Sequence, residues 1–394
     1  MMVFCRRLSW NGFELGVVLT LLAVTYGFMF DFLRWDMFDS HSFVGGARLM
    51  FGLEGGFHDQ SRLTKPLALV LPGLLEYIVG LPAAYGFLIQ GIIAYYVSGF
   101  LLYAILLKLT HAPRIAFLGV VSYAMCQPLA IFSFMILTDG LGWMMNLIMI
   151  WYCLRMPERG RKAYSWIFLL SLFAASGMLV KESVAFGIVF MGSFILVSGR
   201  PQRLCQLGFM GLIIALFFLL LQMITQWVYD DTIAARLIVQ QINEGFVYYN
   251  PGNIAQLFRV LDFFWLLFFV GVWSMKAWCT KQEMGRVAVA FLLSAALTLL
   301  LIPMYPFVVD RILFMVAPAL VLFVVMGAQR FGRFDWLVVA VGGVMNILVA
   351  WMIYRYNVSG LLLWGGFLYG FIMVALWVVG NHRARVGQKA ETGS

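Results

Sequence analysis

The chain has 394 residues, of which 63% are hydrophobic and only 11% charged. Soluble domains carry about 25% charge, so this composition excludes a soluble globular protein and describes a chain embedded in a membrane. The formal charge of +9 is read as a signature of membrane topology, and no nucleic acid is expected as a partner.

Apolar stretches of about 20 residues, each able to cross a bilayer core of about 30 Å, recur along the chain. They predict an all-α polytopic membrane protein with about twelve spans: residues 13–30, 84–107, 115–133, 138–154, 164–180, 183–198, 205–226, 260–277, 287–303, 311–328, 336–353 and 361–379. No polar block is long enough for a soluble domain, so residues 1–394 read as a single membrane-embedded domain. With the N-terminus inside, 18 of the 27 lysines and arginines fall in loops on one side. The excess of basic residues in cytoplasmic loops then puts both termini in the cytoplasm. Residues 67–82 are apolar but short, and contain Pro72 and Glu76. If they crossed the membrane, the basic cluster at 155–162 would lie outside. They are therefore predicted to lie on the outer surface as an interfacial helix, with Thr64 as its cap and Pro66 in its first turn.

The polar groups that stand out all fall on the outer side. The first outer loop, residues 31–83, carries Asp36, Asp39, His41, Arg48, His58, Arg62 and Lys65. A second, near 227–259, carries Asp230, Asp231 and Arg236. Asp139, Lys181 with Glu182, and Asp310 with Arg311 mark outer ends of spans. Charges near an apolar boundary are costly unless paired or wet, and mark function by default. Within the first loop, Phe43, Ala47, Met50 and Phe51 share one face at helical spacing, which predicts an amphipathic helix starting near Asp39.

The segments DSHSFVGGARLMFGLEGG from Asp39, RLTKPL from Arg62, SFMILTDGLGW from Ser133, GMLVKESVAFGI from Gly177 and DRILFMVAPAL from Asp310 follow one another in order. In this order and on one side of the membrane, they resemble the integral-membrane glycosyltransferases of the GT-C superfamily, in particular the protein-mannosyltransferase-like and aminoarabinose-transferase-like branch. The resemblance covers residues 10–330. It divides the chain into a GT-C-like module at 1–204, spans one to six with a catalytic outer loop at 31–83, and a second module at 205–394.

What the resemblance implies is a polyprenyl-phosphate-sugar-dependent, inverting glycosyltransferase working at the outer face of a bacterial inner membrane. The donor would be a sugar on a polyprenyl phosphate. The acceptor hydroxyl would belong to a lipid-linked glycan, lipid A, a wall polymer or a protein. Asp39 falls at the family's catalytic base, and Ser40 stands where a Glu often follows. Asp139 falls on the Thr-Asp step and is the second catalytic candidate. Lys65 falls on the Lys-Pro step, Lys181 on the Lys-Gly step with Glu182 in place of glycine, and Arg311 on the arginine before a late span. These three, with Arg62 and Arg236, are the candidates for holding the lipid phosphate and sugar. No bound metal is required; a divalent ion on Asp36, Asp39 and His58 is the weaker alternative.

Each position also has a plain structural role open to it. Asp39 and Asp139 can cap helices, Lys65 can meet lipid headgroups, and Lys181–Glu182 and Asp310–Arg311 can each neutralise themselves. Two other functions fit twelve spans: a secondary transporter, which would show internal repeats and broken helices near the midplane, and an O-antigen polymerase or ligase, with a larger late outer loop.

Overall fold

The computed structural model describes residues 10–31, 33, 39–53, 62–157, 160–198, 202–229, 259–278, 282–301 and 310–356. Among these residues the fold is all helical. In chain order the helices are α1 (Trp10–Phe30), α2 (Asp39–Met50), α3 (Pro66–Val79), α4 (Ala83–Thr110), α5 (Pro113–Ala124), α6 (Gln127–Phe132), α7 (Asp139–Cys153), α8 (Arg161–Met178), α9 (Ala185–Val197), α10 (Arg203–Tyr229), α11 (Trp265–Trp278), α12 (Gln282–Leu301), α13 (Asp310–Leu313), α14 (Ala317–Ala328) and α15 (Asp335–Tyr356).

Among the described residues, five stretches are long and apolar enough to cross a membrane: Gly12–Phe30, Ala83–Thr110, Arg203–Val228, Arg311–Gly332 and Asp335–Arg355. Helix occupies each of the first eleven predicted segments, but several of these helices are shorter than a full crossing. The twelfth segment, 361–379, lies outside the described residues. The outward surface is that of a protein in lipid. Trp273, Trp227 and Phe28 are almost fully exposed, and the α10 segment is only 11% buried. An apolar helix exposed on most of its surface is stable only where its neighbour is hydrocarbon.

The core is built around α14. All twelve of its residues are buried, and it packs against α11, α5 and α12. Its contact with α11 is backbone to backbone. A Cβ at Gly271 would sit 1.8 Å from the Phe323 carbonyl oxygen, and one at Gly327 would sit 1.9 Å from that of Leu267. Without a hydrophobic effect to drive helices together in lipid, such close approach maximises dispersion contact.

Two sequence expectations are corrected. The segment 115–133 is not one helix: it breaks at Met125–Cys126 into α5 and α6. Pro128, at the start of α6, has no N–H to give and its ring would clash with a preceding helical turn. A helix does form over the segment predicted to be interfacial, with Pro66 as its first residue, but the N-cap position is Lys65 rather than Thr64, without a side-chain cap. At 14 residues it is about 21 Å long, too short to cross. Its one acid is accounted for: Glu76 pairs with Arg48 of α2 at 3.0 Å and accepts the Ala83 N–H of α4 at 2.8 Å. This polar pin ties α2, α3 and α4 together.

Candidate functional site

Helix α2 has the predicted amphipathic face. Phe43 and Ala47 are fully buried, and Phe51 just beyond it stacks on Tyr77 of α3. Its N-terminus is anchored by Ser40, which is buried and donates to the Ile136 carbonyl at 3.0 Å. Ile136 lies in the irregular stretch between α6 and α7, so this one hydroxyl ties the start of α2 to the segment leading into Asp139. A small neutral side chain beside Asp39 thus serves as an anchor.

Next to it, the Asp39 carboxylate is shared between two guanidiniums. Arg62 donates to Oδ1, and Arg311 donates to Oδ2 at 2.5 Å. Burial by itself would raise the Asp39 pKa. Arg62, Arg311 and Lys181 outweigh it and hold the carboxyl at about 2. The group is ionised at neutral pH, and these are charge-assisted hydrogen bonds, about twice as strong as neutral ones. Its side chain satisfies two guanidiniums.

Lys181 and Glu182 sit in the turn between α8 and α9. They do not neutralise each other as adjacent residues. Lys181 Nζ lies 3.4 Å from Asp139 Oδ1, and Glu182 Oε1 pairs with Lys65 Nζ at 2.5 Å. Residues one apart in a chain point in different directions, so each finds its partner on another element. The turn lies outside the predicted spans. Burial would raise the Glu182 pKa, but the ammonium groups of Lys65 and Lys181 overcome that and hold it at about 2. The turn itself is positioned by Asn146, fully buried in α7. Its amide donates to the Ser183 carbonyl at 2.8 Å, and its oxygen accepts the Gly187 N–H at 2.8 Å. It thus satisfies a backbone donor in the first turn of α9 from a neighbouring helix.

Aromatic rings line the cluster. The Arg62 guanidinium lies over the Phe43 ring at 4.3 Å, with Lys181 Nζ 5.9 Å from the same ring. Arg311 lies 5.8 Å from the Phe132 ring. Such contacts hold cations on an apolar surface without neutralising them.

The structure therefore brings Asp39, Arg62, Lys65, Asp139, Lys181 and Arg311 together, from positions up to 272 residues apart. Arg236, Asp36 and His58 lie outside the described residues. Glu182 and Phe43 belong to the cluster and were read from sequence only as a neutralising partner and a packing face. Nothing in the sequence around Asp139 indicated that Asn146 fixes the turn. Among the described residues, four cations meet three carboxylates, a surplus positive charge that favours an anionic ligand. Both Asp39 oxygens face guanidiniums, and among the described residues no three His, Cys, Asp or Glu groups converge; Asp36 and His58, the other two residues of the metal alternative, lie outside them. Compared with known proteins, the chain matches no family model, no curated protein and no solved structure.

Proposed function

We propose that this protein is an inverting glycosyltransferase that takes a sugar from a polyprenyl phosphate and transfers it to a hydroxyl acceptor. The reading places the reaction at the outer face of a bacterial inner membrane, in a chain of twelve spans with both termini cytoplasmic. The observation that carries it is Asp39 clasped by Arg62 and Arg311, with Lys65 and Lys181 adjoining, at the start of an amphipathic helix. The order of motifs resembling GT-C enzymes gives the same cluster its chemical meaning.

In this reading the apolar helices hold the isoprenoid tail, and the lipid phosphate meets the cationic cluster. The acceptor oxygen attacks the anomeric carbon from the face opposite the phosphate. The new C–O bond forms as the bond to phosphate breaks with its electron pair, and the acceptor proton passes to Asp39. The leaving phosphate gains negative charge, which preorganised cations stabilise by a few kcal/mol each. A carboxyl with a pKa near 2 is a weak base. Phosphate bound between Arg62 and Arg311 neutralises the charges that depress it, and so raises its basicity when the donor is in place. The base is thereby strengthened by the substrate it serves. A lipid-linked glycan, lipid A, a wall polymer and a protein all offer the required hydroxyl. No step needs a metal.

The test is release of free polyprenyl phosphate from polyprenyl-phosphate sugars by the purified protein in lipid, with membrane extract supplying acceptors. Wild type should release it and Asp39→Asn should not. No release from any donor in a panel of sugars would return the weight to a transporter or a polymerase-type enzyme.

A further inference from the structure

Six buried polar atoms beside the charged cluster have no hydrogen-bond partner, Asp139 Oδ1 having only its 3.4 Å ion pair to Lys181: Thr138 Oγ1, both Asp139 oxygens, Trp143 Nε1, Glu182 Oε2 and Ser183 Oγ. Thr138 and Asp139 are 0% exposed, Trp143 1% and Ser183 4%. A buried unpaired polar group costs about 1–3 kcal/mol, and native interiors hold few of them. Their concentration in the first turns of α7 and in the facing turn at 182–183 calls for an occupant.

Three contacts fix where these atoms lie. A Cβ on Gly142 would sit 2.2 Å from Ser183 Oγ and 3.1 Å from Lys181 Cβ, so the turn carrying both lies directly against α7. Asn146 holds the same turn through the Ser183 carbonyl. Lys181 reaches Asp139 at the top of α7. Trp143, four residues after Asp139, lies on the same side of the helix. It packs edge-on against Phe314 at 4.7 Å, three residues beyond Arg311. The unpaired atoms thus border the cluster that clasps Asp39.

Their chemistry narrows the occupant. An indole N–H only donates, so the occupant must accept. A carboxylate only accepts, so it must also donate. Hydroxyls do both. A bare phosphate satisfies the first requirement and is repelled by the second. A hydroxyl-bearing group satisfies both. We infer that Thr138, Asp139, Trp143 and Ser183 form a hydroxyl-binding subsite for the neutral polyhydroxy group carried on the lipid phosphate. The subsite rests on the lipid-phosphate-sugar reading above. Within it, Trp143 and Thr138 donate to ring oxygens or hydroxyls, Asp139 accepts from a hydroxyl, and the neighbouring cations take the phosphate. Recognition of sugar and of phosphate is divided between two adjoining groups of residues.

The test measures dissociation constants of the full-length protein in nanodiscs for undecaprenyl phosphate, undecaprenyl-phosphate mannose and undecaprenyl-phosphate glucose. Wild type should bind at least one sugar-bearing lipid more tightly than the bare phosphate. Trp143→Phe keeps the ring against Phe314 and removes only the N–H; Thr138→Val keeps the shape and removes the hydroxyl. Each should erase about tenfold of the sugar's advantage, the size of one hydrogen bond, with the bare-phosphate constant unchanged. Arg62→Gln should weaken all three lipids. Equal binding of bare and sugar-bearing lipids by wild type, or a sugar advantage untouched in both variants, means that ordered water fills the site and overturns the subsite alone. Loss of bare-phosphate binding in both variants marks the two groups as structural and overturns it too. Wild type that binds none of the three lipids overturns the functional reading and the subsite with it.

Discussion

Replacing Asp39 with asparagine keeps the shape of the side chain and removes its charge, leaving Arg62 and Arg311 facing each other without a shared anion. The depression of the Asp39 pKa from 3.8 to about 2 measures how strongly the cluster prefers the ionised form. At 1.36 kcal/mol per unit this is about 2 kcal/mol, since the side chain is a quarter exposed and partly screened. Two consequences of opposite sign follow. The variant loses up to that amount of folding stability. It also frees two guanidiniums for an external anion, so affinity for undecaprenyl phosphate should rise, by about 30-fold where the same free energy is recovered. The expected outcome is therefore tighter binding of the lipid phosphate with loss of turnover. The assay is a binding titration in nanodiscs beside polyprenyl-phosphate release. Weaker binding by Asp39→Asn would refute the competition between carboxylate and phosphate, and unchanged turnover would refute the base.

The pH dependence has a defined sign. The folded pKa of Asp39 lies below its ordinary value, so its contribution is present above about pH 4 and fades as pH falls towards 2. Unfolding in detergent should show this acid loss in wild type and a smaller one in Asp39→Asn. Lys65→Met strands the buried Glu182 carboxylate and should cost about 3–5 kcal/mol, whereas Lys65→Met with Glu182→Met should recover most of that in denaturant titrations. Asn146→Leu leaves the Ser183 carbonyl and Gly187 N–H unpaired and should cost about 2–4 kcal/mol, with Lys65 and Lys181 becoming reactive towards an acylating reagent that spares them in wild type. Gly271→Val drives a side chain into the Phe323 carbonyl and should abolish the monodisperse folded state on size-exclusion chromatography.

The helices were legible because their causes are local. Membrane-length apolar runs read as helix at nearly every predicted position, and Pro66 starts α3 as its lack of a needed N–H allows. The short pair α5–α6 was missed although Pro128 was visible, because an apolar run of spanning length outweighed one breaker in the reading. The candidate residues were legible as types: a few charges placed at outer ends of otherwise apolar segments. Their partners were not. Nothing local distinguishes Lys181 paired with Glu182 from Lys181 facing Asp139, nor marks Arg311 for a carboxylate on α2. Those pairings depend on how α7, α8, α9 and α14 stack, and so on contacts such as Gly142 against Ser183 and Gly271 against Phe323. Sequence by itself determined which segments leave water and which residues carry charge, since both follow from side-chain chemistry. Only the tertiary structure decided which charges meet, because a buried charge takes whichever partner the packing of distant helices brings within reach.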